Sequence, residues 1–502
     1  MVKSESISKG LLSSSTAQVV AKVCGLLRST LTAVLFGAGF HVDTYNVANA
    51  IVMVVFLIGG ESFSYAGVPR LSRQFARNQA DAFGAFTRSL FIIALTLASV
   101  GWLVTEVAFP YIASGVAPGY AHDEHHALLV TTRLMIPGCI FFLAGKALGA
   151  SLNASKNYSI FAMSEAIASL AMLFSLFFLR AVPYSLSASF TCGQAAGFVF
   201  LFLKSYKLLH TTRRFRLRAF LRDVRFFLGV ALSYLAMCAL HPIFLFFEKR
   251  FGLQLGTGVL AALGYAQLVS GSISSLPSFG TVFFPKISVS LTQETFNQIL
   301  KVISCYTIPA SIFTYVFSYN ITDAIFGYGK MTSAEVLVTA NFLAVLSVVV
   351  FFGAYEAIIL RFLYAANMTR NAFVGRLLSY VVAVVSLLIM HDMFMLKSEL
   401  AIYSGIFSAT SAVFFFYVFM MTKRIRIESS TVMYAVVLAA LSFATGGAAK
   451  FIANALGLEK LVFLVFSFVV YSVLTSGLFL VVSKDPLVIV LKQRLAGFLG
   501  RN

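Results

Sequence analysis

Charge is scarce in this chain. Only 11% of its 502 residues are Asp, Glu, Lys or Arg, against about 25% in soluble domains. So little charge cannot cover a water-facing surface, which excludes a soluble enzyme or a soluble binding module. Tryptophan occurs once, and the five cysteines (Cys24, Cys139, Cys192, Cys238, Cys305) stand singly in apolar runs. That odd, scattered set argues against a disulfide framework or a metal centre and suits small hydrophobes at helix contacts. There is no P-loop, no HExxH, no GxSxG and no paired catalytic signature, so nucleotide hydrolysis within the chain is not expected. Long outer loops are missing too: the largest, Ala117–His126, has about ten residues. A glycan polymerase or ligase, the main rival from another class, needs such loops to build its site. No cleavable leader is expected, because the first apolar segment carries Lys22 and Arg28.

What is present is apolar sequence. Hydrophobic residues make up 59% of the chain, 52 of them phenylalanine, and the mean hydropathy is +0.89. Fourteen apolar segments, from Leu11–Ala38 to Leu461–Val482, approach or exceed the ~20 residues that cross a bilayer as a helix. The expected fold is an all-α polytopic membrane protein of about fourteen transmembrane helices. A basic amphipathic stretch (209–225) separates an N-lobe of six helices (1–208) from a C-lobe of six (226–422), and a helix pair with a basic tail (423–502) follows. A weak repeat supports two like lobes around a central cavity. VPRLS (Val68–Ser72) is echoed by FPKIS (Phe284–Ser288), and LNASKN (Leu152–Asn157) by LYAANMTRN (Leu363–Asn371).

The net charge of +19 follows topology. An even number of spans puts both termini on one side, and 27 of the 38 lysines and arginines fall in or beside that side's connections. The positive-inside rule makes it the cytoplasmic side. The basic excess then meets anionic lipid headgroups rather than nucleic acid. HDEHH (His122–His126) reads as a solvated loop, and no metal or cofactor is called for.

Two cations break the apolar pattern of the first span. Lys22 and Arg28 lie deep in LLSSSTAQVVAKVCGLLRSTLTAVLFGAG (Leu11–Gly39). A cation at bilayer depth costs about 2.5–3.5 kcal/mol on insertion scales and usually faces a wet cavity. Ser14, Gln18, Lys22, Gly25, Ser29 and Thr32 share one helical stripe with Arg28 at its edge. The pattern suits an anion held inside the membrane, with snorkelling to an interface as the plainer alternative. Asp43, with Asn46 one turn on, and Glu61 flank the second span; they read as helix caps or as gating groups. Gln267, Gly271, Ser274, Ser278 and Thr281 form a small polar face in the eighth span, suited to helix packing or to a sugar-rich headgroup. Lys146, Glu165, Glu248 and Glu356 are further ionisable residues in or near spans, open to pairing or to transport roles.

Several stretches resemble the MurJ (MviN) lipid II flippases of the multidrug/oligosaccharidyl-lipid/polysaccharide exporter superfamily. They are GLLRSTLTAVLFGAGFHVDTYNVA (Gly25–Ala48), ESFSYAGVPRLS (Glu61–Ser72), APGY (Ala117–Tyr120), TTRLMIPG (Thr131–Gly138), GASLNASKNYSI (Gly149–Ile160), GTVFFPKIS (Gly280–Ser288) and YGKMTS (Tyr328–Ser333). The resemblance implies fourteen helices in two lobes plus a C-terminal pair. It implies translocation of an undecaprenyl-pyrophosphate-linked peptidoglycan precursor by alternating access, not catalysis. The implied partners are that lipid-linked glycan, membrane lipids and the cell-wall synthesis machinery. Arg28 resembles the family's first-helix arginine, Lys22 falls where another arginine is common, and Asp43 resembles the acidic residue after FGAG. Two departures stand out: the family's basic pair in the second helix falls near the apolar Val54–Phe56, and its eighth-helix Asp-Arg pair near Gln267–Leu268. Lys146 or Arg133 are the available substitutes. A flippase for another polyprenyl-linked polysaccharide unit, and a drug antiporter, are the neighbouring alternatives.

Overall fold

The computed structural model describes residues 7–155, 157–209, 217–238, 240–275, 292–365, 368–390, 399–422 and 427–482. Its described elements are sixteen α-helices: α1 (Ile7–Phe36), α2 (Phe40–Ala76), α3 (Ala80–Val116), α4 (His122–Ala154), α5 (Tyr158–Leu179), α6 (Ser185–Leu209), α7 (Leu217–Cys238), α8 (Leu240–Gln254), α9 (Val259–Ser275), α10 (Gln293–Val316), α11 (Ser318–Phe326), α12 (Ser333–Ala365), α13 (Thr369–Leu388), α14 (Glu399–Thr422), α15 (Ser429–Ala455) and α16 (Lys460–Val482). Nine of them are long and apolar enough to cross a bilayer: α1, α3, α4, α5, α6, α10, α12, α15 and α16. The expected second span falls on α2, the eleventh on α13 and the twelfth on α14; the expected seventh covers the end of α7 and the beginning of α8, with residue 239 outside the described residues. The eighth begins on α9 and, like FPKIS, runs outside the described residues.

Hydroxyls are numerous in these apolar helices, and the backbone absorbs them. Thr32, Thr105, Thr131, Thr132, Thr307 and Thr314 each donate to the carbonyl four residues back, at 2.7–2.9 Å. A hydroxyl satisfied inside its own helix carries little cost where no water is present.

The chain divides into two compact units, Met1–Ala261 and Ala262–Asn502. In the first, α2 lies along α4, while α5 packs on both α1 and α6. Leu148, Leu152 and Leu201 form a buried knot under a phenylalanine layer, in which Phe91 and Phe198 stack nearly parallel at 6.4 Å. Arg70, from VPRLS, lies between the rings of Phe86 and Phe226, 4.0 and 4.8 Å from their centroids. It donates to Asp223 at 2.7 Å, and Ser89 donates to the other oxygen of that carboxylate at 2.9 Å. The start of α7 is thereby held against α2 and α3.

In the second unit α10, α12 and α14 share a core built on Phe296, Ile303, Tyr355, Ile358, Phe362 and Tyr417. The amide oxygen of Asn297, on α10, accepts the Glu428 N–H and the Thr431 hydroxyl, both at 3.0 Å. It satisfies the beginning of α15 from outside that helix.

Candidate anion site in the first unit

FGAG ends one helix and starts the next. Gly37 takes φ +66°, a conformation that disfavours a side chain, and its N–H donates to the Ala33 carbonyl at 2.8 Å as α1 closes. After Gly39 in extended backbone, α2 begins with Asp43 in its first turn.

Asp43 is 1% exposed, and both of its oxygens are used. Oδ2 accepts the Gly258 N–H at 2.6 Å and Oδ1 the Ala261 N–H at 2.7 Å. These donors belong to the first turn of α9, where backbone N–H groups lack helical acceptors and the helix dipole favours a carboxylate. Gly258 has φ +90°, and a β-carbon there would run into the Ala38 carbonyl. The two halves of the contact thus demand a carboxylate at 43 and a glycine at 258. Tyr120 of APGY closes the neighbourhood, its ring 5.7 Å from Phe40 and 5.9 Å from His125. Burial pushes its hydroxyl up to about 12, so it stays neutral.

Arg28 sits eight residues before the end of α1 and turns toward α5. Its Nη1 donates to the Met172 thioether at 3.3 Å. Sulfur is a weak acceptor, and a guanidinium offers five N–H donors. Arg70, Arg133, Lys146, Lys249, Arg376 and Lys460 each face a carboxylate within 4 Å. Among the described residues none faces Arg28, which is only partly exposed. Lys22 is also partly buried on the same helix. Six residues of separation set the two cations about 120° apart around the axis and about 9 Å apart along it. Of the two, Arg28 is the one that addresses α5, through Met172.

Of the two cations expected as substitutes, Arg133 is committed elsewhere. It makes a bidentate pair with Glu106 at 2.8–3.1 Å and is more than half exposed. Lys146 points inward. Its ammonium lies 5.3 and 5.2 Å from the ring centroids of Phe142 and Phe161, and 3.5 Å from Glu165. It borders a cavity of about 240 Å³ among α4, α5 and α6, together with Glu165, Ser164, Ser169, Met172 and Gln194. Met172 links the two cations: its sulfur accepts from Arg28, and its side chain lines the cavity beside Lys146.

The remaining expected residues are dispersed. Asn46 lies partly exposed one turn after Asp43, and Glu61 falls on α2 with its side chain outside the described set. Gln267 and Ser274 lie on α9 in the second unit, where Ser274 donates to the Gly271 carbonyl at 3.1 Å; Ser278 lies outside the described residues. Glu248 and Glu356 pair with Lys249 and Arg376. The HDEHH stretch begins α4, and Glu124 accepts the Ala121 N–H at 2.8 Å as a cap. Sequence reasoning missed Met172 and Gln194, which carry no signal distinct from ordinary helix residues, and the pairing of Asp43 with an element 215 residues away.

Comparison with known proteins speaks to family and fold. The family model described as lipid II flippase MurJ matches residues 32–474. A probable lipid II flippase MurJ of Buchnera aphidicola is 23% identical over 382 residues, 72% of each chain. The lipid II flippase MurJ of Burkholderia cenocepacia is 24% identical over 355 residues, 67% of this chain and 69% of that one. Among solved structures, lipid II flippase MurJ in an inward closed conformation aligns with a TM-score of 0.73 at 18% identity, covering 93% of this chain and 98% of that one. An inward-facing multidrug resistance MATE family transporter of the MOP superfamily aligns at 0.64 and 12% identity, over 82% and 95%. The structural likenesses establish the fold, and the family model, which spans most of the sequence, settles kinship: the chain belongs to the MurJ lipid II flippase family.

Proposed function

We propose that this chain moves lipid II, the undecaprenyl-pyrophosphate-linked peptidoglycan precursor, across the inner membrane by alternating access, and that Arg28 receives the pyrophosphate. The observation that carries the site is a partly buried guanidinium whose hydrogen bond goes to a thioether, with no carboxylate facing it among the described residues. A desolvated arginine without a counter-ion is costly unless an anion visits it, and its planar fork matches phosphate oxygens. The lipid tail stays in the bilayer while the headgroup crosses.

The Asp43 contact supports the gating half of this reading. It is a polar latch of two charge-assisted hydrogen bonds, which can open and re-form as the molecule alternates. In this scheme the latch lies at the outer face, both termini are cytoplasmic, and the product is handed to the cell-wall synthesis machinery.

A flippase for another polyprenyl-linked glycan is the second reading. Apolar residues at Val54–Phe56 and neutral ones at Gln267–Leu268, where the resemblance anticipates charge, favour it. Complementation separates the two. Expression of the chain in a strain depleted of its lipid II flippase should restore growth, and Arg28→Ala should abolish rescue at normal protein level. Full rescue by Arg28→Ala refutes the anion role, and absence of rescue by the wild-type chain favours the other glycan.

A further inference from the structure

The cavity among α4, α5 and α6 is small. At about 240 Å³ it falls below the range of ~300–1,000 Å³ that encloses drug-sized ligands. It can take a phosphate-sized group but not a glycan. Its polar lining is Lys146, Glu165, Ser164, Ser169 and Gln194.

The Lys146–Glu165 pair is unlike its neighbours. Arg70–Asp223 and Arg133–Glu106 close to 2.7 and 2.8 Å, whereas Lys146 and Glu165 stand 3.5 Å apart. The burial is also unequal: the lysine side chain is 16% exposed and the glutamate 44%. Two phenylalanine rings grip the ammonium by cation–π attraction, so the cation is the fixed member. The carboxylate is the member with room to leave. An ion pair with one partner this exposed contributes about 1 kcal/mol or less, so structural need alone gives a weak reason for it.

We propose that Lys146 is a second cationic contact for the substrate's diphosphate, and that Glu165 is a resident stand-in for it. The inference rests on Arg28 as the first contact. In the empty protein Glu165 neutralises Lys146. An arriving phosphate displaces that carboxylate and spans from Arg28, across the Met172 wall, to Lys146. When the diphosphate leaves, Glu165 returns and supplies the charge that helps expel it. The site thus holds its anion firmly enough to capture it and loosely enough to release it.

The test is inorganic pyrophosphate binding to the full-length protein in detergent, measured by calorimetry beside the melting temperature without ligand. Lys146→Gln should weaken binding about tenfold or more, the scale of one hydrogen bond to a charged group. Glu165→Gln should strengthen it severalfold, since a competing anion is gone. The double variant should behave as Lys146→Gln. Should Lys146→Gln fail to fold, the gain in Glu165→Gln decides alone. Unchanged affinity in both single variants, with binding lost in Arg28→Ala, overturns the exchange and leaves the Arg28 reading intact. Weaker binding in Glu165→Gln, together with a lower melting temperature, marks a structural pair and also overturns it. No pyrophosphate binding by the wild-type protein overturns both.

Discussion

Arg28 and Arg70 carry the same side chain in the same unit, in opposite surroundings. Arg70 is saturated: one carboxylate and two aromatic faces surround it. Removing it strands Asp223, whose side chain is 9% exposed, with Ser89 as its remaining described donor. Arg70→Ala should therefore cost about 3 kcal/mol, as for a broken buried pair, seen as a lower melting temperature and reduced protein level. Arg28→Ala should leave the melting temperature within a few degrees, because a hydrogen bond to sulfur is all the described protein loses. Arg28→Lys keeps charge but loses the fork, so partial transport is expected, read as slower growth in complementation. The sequence made Arg28 conspicuous because a cation in an apolar run has an evident cost. Arg70 was just as basic but looked like one more cytoplasmic charge, since its carboxylate partner Asp223 lies 153 residues along the chain.

At the scale of elements, the beginnings of α9 and α15 are satisfied from other helices. Asp43 serves α9, and Asn297 serves α15. Both are invisible to local capping rules, which look for the acceptor just before the helix. Asp43→Asn halves the acceptor capacity and places an amide donor against an N–H, so transport should fall while the fold persists. Gly258→Ala should do the same from the other side, through the clash with Ala38 and the strain of φ +90°. A reconstituted transport assay of the two variants checks the pair; full activity in both would remove the latch from the mechanism. Asn297→Ala should cost about 1–2 kcal/mol, the range of lost caps, measured by thermal unfolding. By contrast Lys460, partly exposed and 2.8 Å from Asp323, should change stability by less than about 1 kcal/mol when replaced by alanine. Span positions were legible because length and hydropathy decide them. The Asp43 contact was not, since its partners Gly258 and Ala261 lie 215 and 218 residues away.

The whole molecule follows from scarcity of charge. A chain so poor in charge sits in an apolar surrounding, where helices satisfy the backbone internally, and Arg70, Lys146, Lys249 and Arg376 are each paired with a carboxylate. Composition, the many apolar segments and motif order made the fold class and the family legible together. The site was legible only in part: the sequence supplied Arg28 and Lys146 as separate anomalies, and only folding joins them through Met172 at one cavity wall. The central claim is that this chain carries lipid II across the membrane. Its most direct measure is the fraction of lipid II reachable at the outer face of flippase-depleted cells, read by cleavage with an externally added lipid II-degrading enzyme. Expression of the wild-type chain should raise that fraction, and Arg28→Ala should not. An unchanged fraction with the wild-type chain present in the membrane would contradict the account.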